Sequence, residues 1–181
     1  MKHTLVARVM DQPGVLNRVA SLFRRRAFNI ESLTVGHTET EDVSRMTIVV
    51  DTAKVPAPIV AANLRKLIPV AEVVDVTHLP TVDRDLALIR VSCAPQERAE
   101  TASLVEIFRA RIVDVAAESV IVEVTGDEQK VNGLVDLLRP RGIMEMVRTG
   151  KVAMVRGSVA EQERPAAGTT HAHAAMPAAT H

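Results

Sequence analysis

Hydrophobic and polar positions along the chain follow one order of periodicities twice. Leu5 to Met10 alternates, with Leu5, Ala7 and Val9 on one face, the period-2 pattern of a half-buried strand. Val15, Leu16, Val19, Leu22 and Phe23 then recur at helical spacing, with Asn17, Arg18, Ser21, Arg24 and Arg25 opposite, which predicts an amphipathic helix. Two β-rich runs, Asn29 to Thr38 and Val43 to Thr52, flank the acidic turn Glu39-Thr40-Glu41-Asp42 and read as a hairpin. Pro56 and Pro58 open a second helix with the stripe Val60, Leu64, Leu67 and Ile68, and Glu72 to His78 alternates as a last strand.

Pro80 and its polar neighbours mark residues 79–83 as a linker, after which the order returns. A strand is predicted over Asp85 to Cys93, a helix over Gln96 to Arg109 and strands over Arg111 to Ala116 and Ser119 to Thr125. A helix over Asp127 to Arg139, with the stripe Val131, Leu134, Val135 and Leu138, and a strand over Ile143 to Arg148 complete the unit. Pattern repeats here, not residues. A β-α-β-β-α-β unit is the ferredoxin-like arrangement, an antiparallel sheet with both helices on one face. The expected fold class is therefore α+β, two tandem ferredoxin-like βαββαβ domains at residues 2–79 and 84–157. Each sheet keeps one face bare, and Val6, Met10, Val49 and Ile121 put apolar atoms on that second alternation. Pairing into an oligomer is the expected remedy.

Residues 158–181 are rich in Ala, Thr, His, Pro and Glu and lack Leu, Ile and Phe. Such a segment buries too little to offset the entropy of ordering and is expected to be a disordered tail. Three of the six histidines (His171, His173, His181) fall in it, which leaves no convincing metal site.

Composition narrows the chemistry by exclusion. The 181 residues carry 22 Lys+Arg against 22 Asp+Glu, so no basic excess marks a polyanion or a charged membrane surface. Phe23, Phe28 and Phe108, without Tyr or Trp, cannot form a stacking platform for bases. Nucleic acid is not an expected partner. No apolar stretch approaches the roughly 20 residues of a membrane span, and no signal-type region follows Met1. Cys93 stands alone in an apolar alternation and reads as a small core residue, not as half of a Cys/His pair with His37 or His78. A reducing, cytoplasmic setting is expected.

No nucleotide-loop or nucleophile-elbow motif is present, and the eight glycines are scattered. Glu39, Glu41 and Asp42 read as a solvated turn rather than an acid/base cluster. Arg24-Arg25-Arg26 complements a helix C-terminus, with docking of a partner as the alternative. The informative segment is Asp11-Gln12-Pro13-Gly14-Val15-Leu16, between the first strand and the first helix. Unpaired N–H groups and the helix dipole favour an anion there. Gly14 removes the side chain that would block the amides, and Pro13 stiffens the turn. Asp11 suits a ligand ammonium, while Val15 and Leu16 add apolar surface. The loop thus suits a free α-amino acid, and equally suits a plain capping turn with Asp11 as acceptor.

That loop, the run Leu22-Phe23-Arg24-Arg25-Arg26-Ala27-Phe28-Asn29-Ile30-Glu31-Ser32-Leu33-Thr34-Val35 and the run Ser44-Arg45-Met46-Thr47-Ile48 together closely resemble the ACT domain of the acetolactate synthase small-subunit family. A weaker resemblance continues through residues 106–115 and 148–153. It implies a non-catalytic regulatory subunit that binds and activates a separate large catalytic subunit and confers feedback inhibition by valine or another branched-chain amino acid. Thiamine diphosphate, Mg²⁺ and FAD are then expected in that partner and no cofactor in this chain. The resemblance also implies a homodimer through paired ACT domains. The effector lies between Asp11, Pro13, Gly14, Val15 and Leu16 of one protomer and Asn29 and Ile30 of the other.

Two positions depart from the family pattern. Many relatives have Asn in place of Asp11 and Gly in place of Ala27, where a left-handed C′ residue costs Ala on the order of 1 kcal/mol. The alternative to the regulatory-subunit reading is an ACT sensor acting on a different enzyme or a transcription factor. A stand-alone enzyme is disfavoured, because no acid, base, nucleophile and orienting group converge.

Overall fold

The computed structural model describes residues 1–157 apart from Thr52 and Lys54. The tail expected at 158–181 lies outside the described residues. The first unit runs β1 (Lys2–Met10), α1 (Val15–Arg25), β2 (Asn29–His37), β3 (Val43–Asp51), α2 (Ala57–Leu64) and β4 (Val70–Asp75). The second runs β5 (Thr81–Ser92), α3 (Arg98–Ile107), β6 (Arg111–Val115), β7 (Ser119–Gly126), α4 (Glu128–Leu138), β8 (Ile143–Arg148) and β9 (Val152–Val155). Their sheets have the equivalent orders β2-β3-β1-β4 and β6-β7-β5-β8, with β9 added beside β5. The expected α+β pair of ferredoxin-like units is what the chain forms.

Each core sits between one sheet face and two helices. In the first unit Leu5, Ala7 and Val9 meet Val19, Phe23, Val60 and Leu64; in the second Ala87, Ile89 and Val91 meet Val105, Val131, Leu134 and Leu138. Cys93 is fully buried and its Sγ lies 3.5 Å from Thr101 Oγ1, as expected of a small core residue.

Both first helices end alike. The Phe28 N–H donates to Phe23 O and the Ala27 N–H to Arg24 O, while Ala110 N–H donates to Val105 O and Arg109 N–H to Glu106 O. These are Schellman closures with a left-handed C′ residue, here Ala27 (φ 53°) and Arg109 (φ 48°) instead of glycine. The Phe23 and Phe28 rings pack edge to face at 5.7 Å across the first of them.

Several boundaries differ from expectation. The stripe of the second helix stops early: α2 ends at Leu64, Leu67 still packs on the core, and Ile68 is 92% exposed. β4 begins at Val70 and ends at Asp75, two to three residues before the alternating run placed it. A 3-10 turn at Pro95–Glu97 precedes α3, which then ends at Ile107 because Arg109 leaves the helical region. The largest correction concerns the linker. Thr81, Val82 and Asp83 are the start of β5, and residues 81–84 pair with β9, a strand no pattern announced.

β9 also changes the fate of the bare sheet face. Val6 and Val49 on the second face of the first sheet are buried, Val6 in a cluster with Val76 and Ala153. Arg45 donates to the Ala153 carbonyl at 2.6 Å, and the Lys151 N–H donates to Ser32 Oγ at 3.1 Å. Gly150 (φ 85°) permits this approach, since a Cβ there would stand 2.3 Å from Ser32 Oγ. The chain therefore covers part of this face with its own residues 149–155, where the pattern pointed to oligomerisation alone.

Candidate functional site

The segment Asp11–Leu16 forms the turn from β1 into α1. Gly14 takes the N-cap position in the left-handed region (φ 85°, ψ −2°), and no side chain caps the helix. The Val15 N–H donates to Gln12 O and the Arg18 N–H to Gly14 O. The Leu16 and Asn17 amides are left without an acceptor among the described residues. Nothing lies within 4 Å of the place a Gly14 Cβ would occupy, so the amides open onto free space. Val15 is buried and holds the turn to the core, whereas Leu16 is 48% exposed beside the amides.

Asp11 does not cap the helix, and that half of the even reading is thereby removed. Its carboxylate pairs with His37 Nδ1 at 3.1 Å, and its N–H donates to Asp42 O at 2.7 Å. His37 ends β2 and is a site neighbour that the alternation did not single out. The signal was available, because the hairpin register returns residue 37 to the level of residue 44, opposite the end of β1.

Asn29 and Ile30 stand at the other end of the same sheet. Asn29 is paired with Asp51, which is paired with Lys2 at the start of β1, while Met10 at its end pairs with Val43. One chain thus keeps the Asp11–Leu16 turn and the Asn29–Ile30 pair a full strand apart. β2 is an edge strand, and its outer side is unpaired among the described residues.

Two other polar clusters of the first unit are structural. Glu39 pairs with Arg8 across the hairpin turn at 3.3 Å. Asp75 accepts from the Thr77 hydroxyl and amide and lies 2.9 Å from His3 Nδ1. Burial pushes the Asp75 carboxyl up, but these hydrogen bonds outweigh it and hold the carboxyl below its ordinary value. Among the described residues no group of three His, Cys, Asp or Glu is placed to hold a metal ion, and no helix is long and apolar enough to cross a membrane.

Tandem ferredoxin-like units, the first with an open glycine turn at the start of its leading helix, define a two-domain α+β protein of the ACT type. Residues 5–72 match the AHAS small subunit-like ACT domain, and residues 84–157 match the small subunit of acetolactate synthase. A relative in Archaeoglobus fulgidus is 56% identical over 158 residues, covering 87% of this chain and 99% of its own. The acetolactate synthase small subunit of Bacillus subtilis is 45% identical over 159 residues, covering 87% of this chain and 92% of its own. The crystal structure of the acetolactate synthase small subunit from Thermotoga maritima superposes with a TM-score of 0.80 at 40% identity, over 86% of this chain and 98% of that one. The chain belongs to the acetolactate synthase small-subunit family. Membership implies a regulatory role beside a large catalytic subunit.

Proposed function

We propose that this chain activates a thiamine-diphosphate catalytic subunit of acetolactate synthase and makes it sensitive to feedback inhibition by valine or another branched-chain amino acid. The chain is not catalytic by itself; thiamine diphosphate, Mg²⁺ and FAD belong to the partner. The effector carboxylate sits on the open amides after Gly14, its ammonium on Asp11, and its side chain against Val15 and Leu16.

The observation that carries this reading is the separation of the two half-sites along an edge strand. Two chains pairing antiparallel through β2 about a two-fold axis set the Asn29 end of one strand beside the His37 end of the other. His37 already touches Asp11 within its own chain. Asn29 and Ile30 of a second protomer therefore arrive at the Asp11–Leu16 turn, and Pro13 holds that turn rigid for them. A homodimer makes two identical sites.

Regulation is then a coupling free energy between sites. Valine favours one arrangement of the paired sheets and the catalytic subunit another, so each lowers the other's affinity by the same factor where coupling acts on binding. The test mixes the chain with its cognate catalytic subunit and follows acetolactate formation with and without millimolar valine. Activation by the chain and inhibition by valine are expected; the absence of both overturns the proposal. Gly14→Asp puts a carboxylate against the effector's own and is expected to weaken valine about a hundredfold. Asn29→Ala, which removes one cross-dimer contact, is expected to weaken it about tenfold.

A further inference from the structure

Asp11 and His37 form a charge pair at the rim of the Gly14 turn. His37 Nδ1 lies 3.1 Å from Asp11 Oδ2. Both side chains reach solvent, the imidazole at 87% and the carboxylate at 45% of full exposure, so a ligand can touch either and bulk protons can reach both. The backbone fixes both ends of the pair. The Asp11 N–H donates to Asp42 O, and His37 closes β2 in register with Ser44. No side-chain cap draws Asp11 toward α1.

The charged groups on neighbouring elements are engaged elsewhere. On β1, Arg8 is bonded to Glu39 and Thr40 of the hairpin turn. On β3, Arg45 stands opposite Gly36 and donates to the Ala153 carbonyl. Glu41 and Asp42 of the turn, Arg18 of α1, and Lys66 and Glu72 around the start of β4 form no ion pair with Asp11 or His37 among the described residues. The state of the carboxylate is therefore set by one neighbour.

An imidazole is the side chain whose charge changes between about pH 5 and pH 8. Protonated, His37 neutralises the Asp11 carboxylate, and a ligand ammonium has to displace it. Neutral, His37 leaves that negative charge to the ammonium. We propose that His37 is a positioning residue that makes the ammonium subsite at Asp11 pH-dependent, so that a free α-amino acid binds more tightly above the imidazole range than below it. This role rests on the effector reading of the Gly14 turn and adds to it a proton, which leaves His37 when the ammonium takes its place. By linkage the bound ligand in turn favours the neutral imidazole. The amides after Gly14 do not titrate, so the ligand carboxylate adds no such dependence. In the proposed dimer His37 stands beside the Asn29 end of the other strand, at the seam between protomers.

The experiment titrates the full-length chain with L-valine by calorimetry at pH 6 and pH 8, between which the valine ammonium and carboxylate both stay charged. Valine is expected to bind about fivefold more tightly at pH 8, the size of one exposed ion pair. Repeating the pH 6 titration in two buffers of different ionisation enthalpy is expected to show proton release on binding. His37→Gln, neutral throughout, is expected to bind tightly at both pH values with no release, and His37→Arg, charged throughout, weakly at both. Asp11→Asn is expected to remove the pH dependence. Equal affinity of the unchanged chain at the two pH values, or the same affinity in His37→Gln and His37→Arg, overturns the role of His37 and leaves the effector site standing. No valine binding at either pH by the unchanged chain or by His37→Gln overturns the effector reading and the role of His37 together.

Discussion

The two units share a topology but finish the entrance to their first helix in opposite ways. In the second unit the Ala94 N–H donates to Glu97 Oε2 at 3.0 Å, so the chain's own carboxylate sits over the turn into α3. In the first unit the corresponding turn has Gly14 in place of Ala94, no side-chain cap, and Asn17 three residues on, where the second unit has Glu97. One entrance carries a carboxylate of the chain itself and the other carries none, which suits the carboxylate of the proposed effector. Of the two leading helices, only α1 starts without a carboxylate of the chain bonded at its entrance, and it is the start used in the proposed effector site.

The largest expected effect concerns the contact that binds the two units. Gly150→Ala forces a Cβ against Ser32 Oγ at a left-handed backbone position and is expected to lower stability by roughly 2–3 kcal/mol. Adding Ser32→Ala relieves the clash but removes the acceptor of the Lys151 N–H, so the double variant, compared with Ser32→Ala alone, is expected to show chiefly the backbone cost, about 1 kcal/mol, in urea unfolding.

Next in size is the change that makes the first entrance resemble the second. Asn17→Glu supplies an internal carboxylate and is expected to raise the valine concentration for half-inhibition about tenfold while slightly stabilising the chain. Its mirror, Glu97→Ala, is expected to cost about 0.5–1 kcal/mol and leave valine inhibition unchanged. If both changes moved inhibition equally, the two entrances would not differ in function.

Where the units agree, the same substitution is expected to act alike. Ala27→Gly and Arg109→Gly each relieve a left-handed C′ residue and are expected to stabilise by about 1 kcal/mol, raising the thermal midpoint.

The smallest effect is acid sensitivity at Asp75, which the second unit does not share. Its folded carboxyl titrates below the ordinary value, so its contribution is complete above the unfolded pKa of about 3.9 and is lost as pH falls through the folded value. Asp75→Asn is expected to flatten the stability loss between pH 5 and pH 3 in urea titrations.

Periodicity made both cores legible, because each core-facing residue of β1, β5, α1 and α4 obeys the 2.0 or 3.6 repeat that burial imposes. Ala27 was singled out through the resemblance, whose relatives carry Gly there, and its left-handed backbone fits that substitution. Thr81–Asp83 and β9 were not. Short polar segments carry no burial signal when their role is to pair with each other and lie across a sheet in a different unit. Gly14 and Asp11 could be read as belonging to one turn, but Asp11's choice of His37 over the helix depended on hairpin register. In the proposed dimer, the edge position of β2 is what would bring Asn29 of one chain to Asp11 of the other.

β5 belongs to both units: residues 85–92 are a central strand of the second sheet, while residues 81–84 hold β9 close to the first. With Arg45 and Ser32 bonded to the residues that return along it, neither unit has a surface of its own to which it can retreat on unfolding. The pair is therefore expected to melt as one body. A scanning calorimeter is expected to record a single transition whose calorimetric and van't Hoff enthalpies coincide, even though the chain carries two hydrophobic cores.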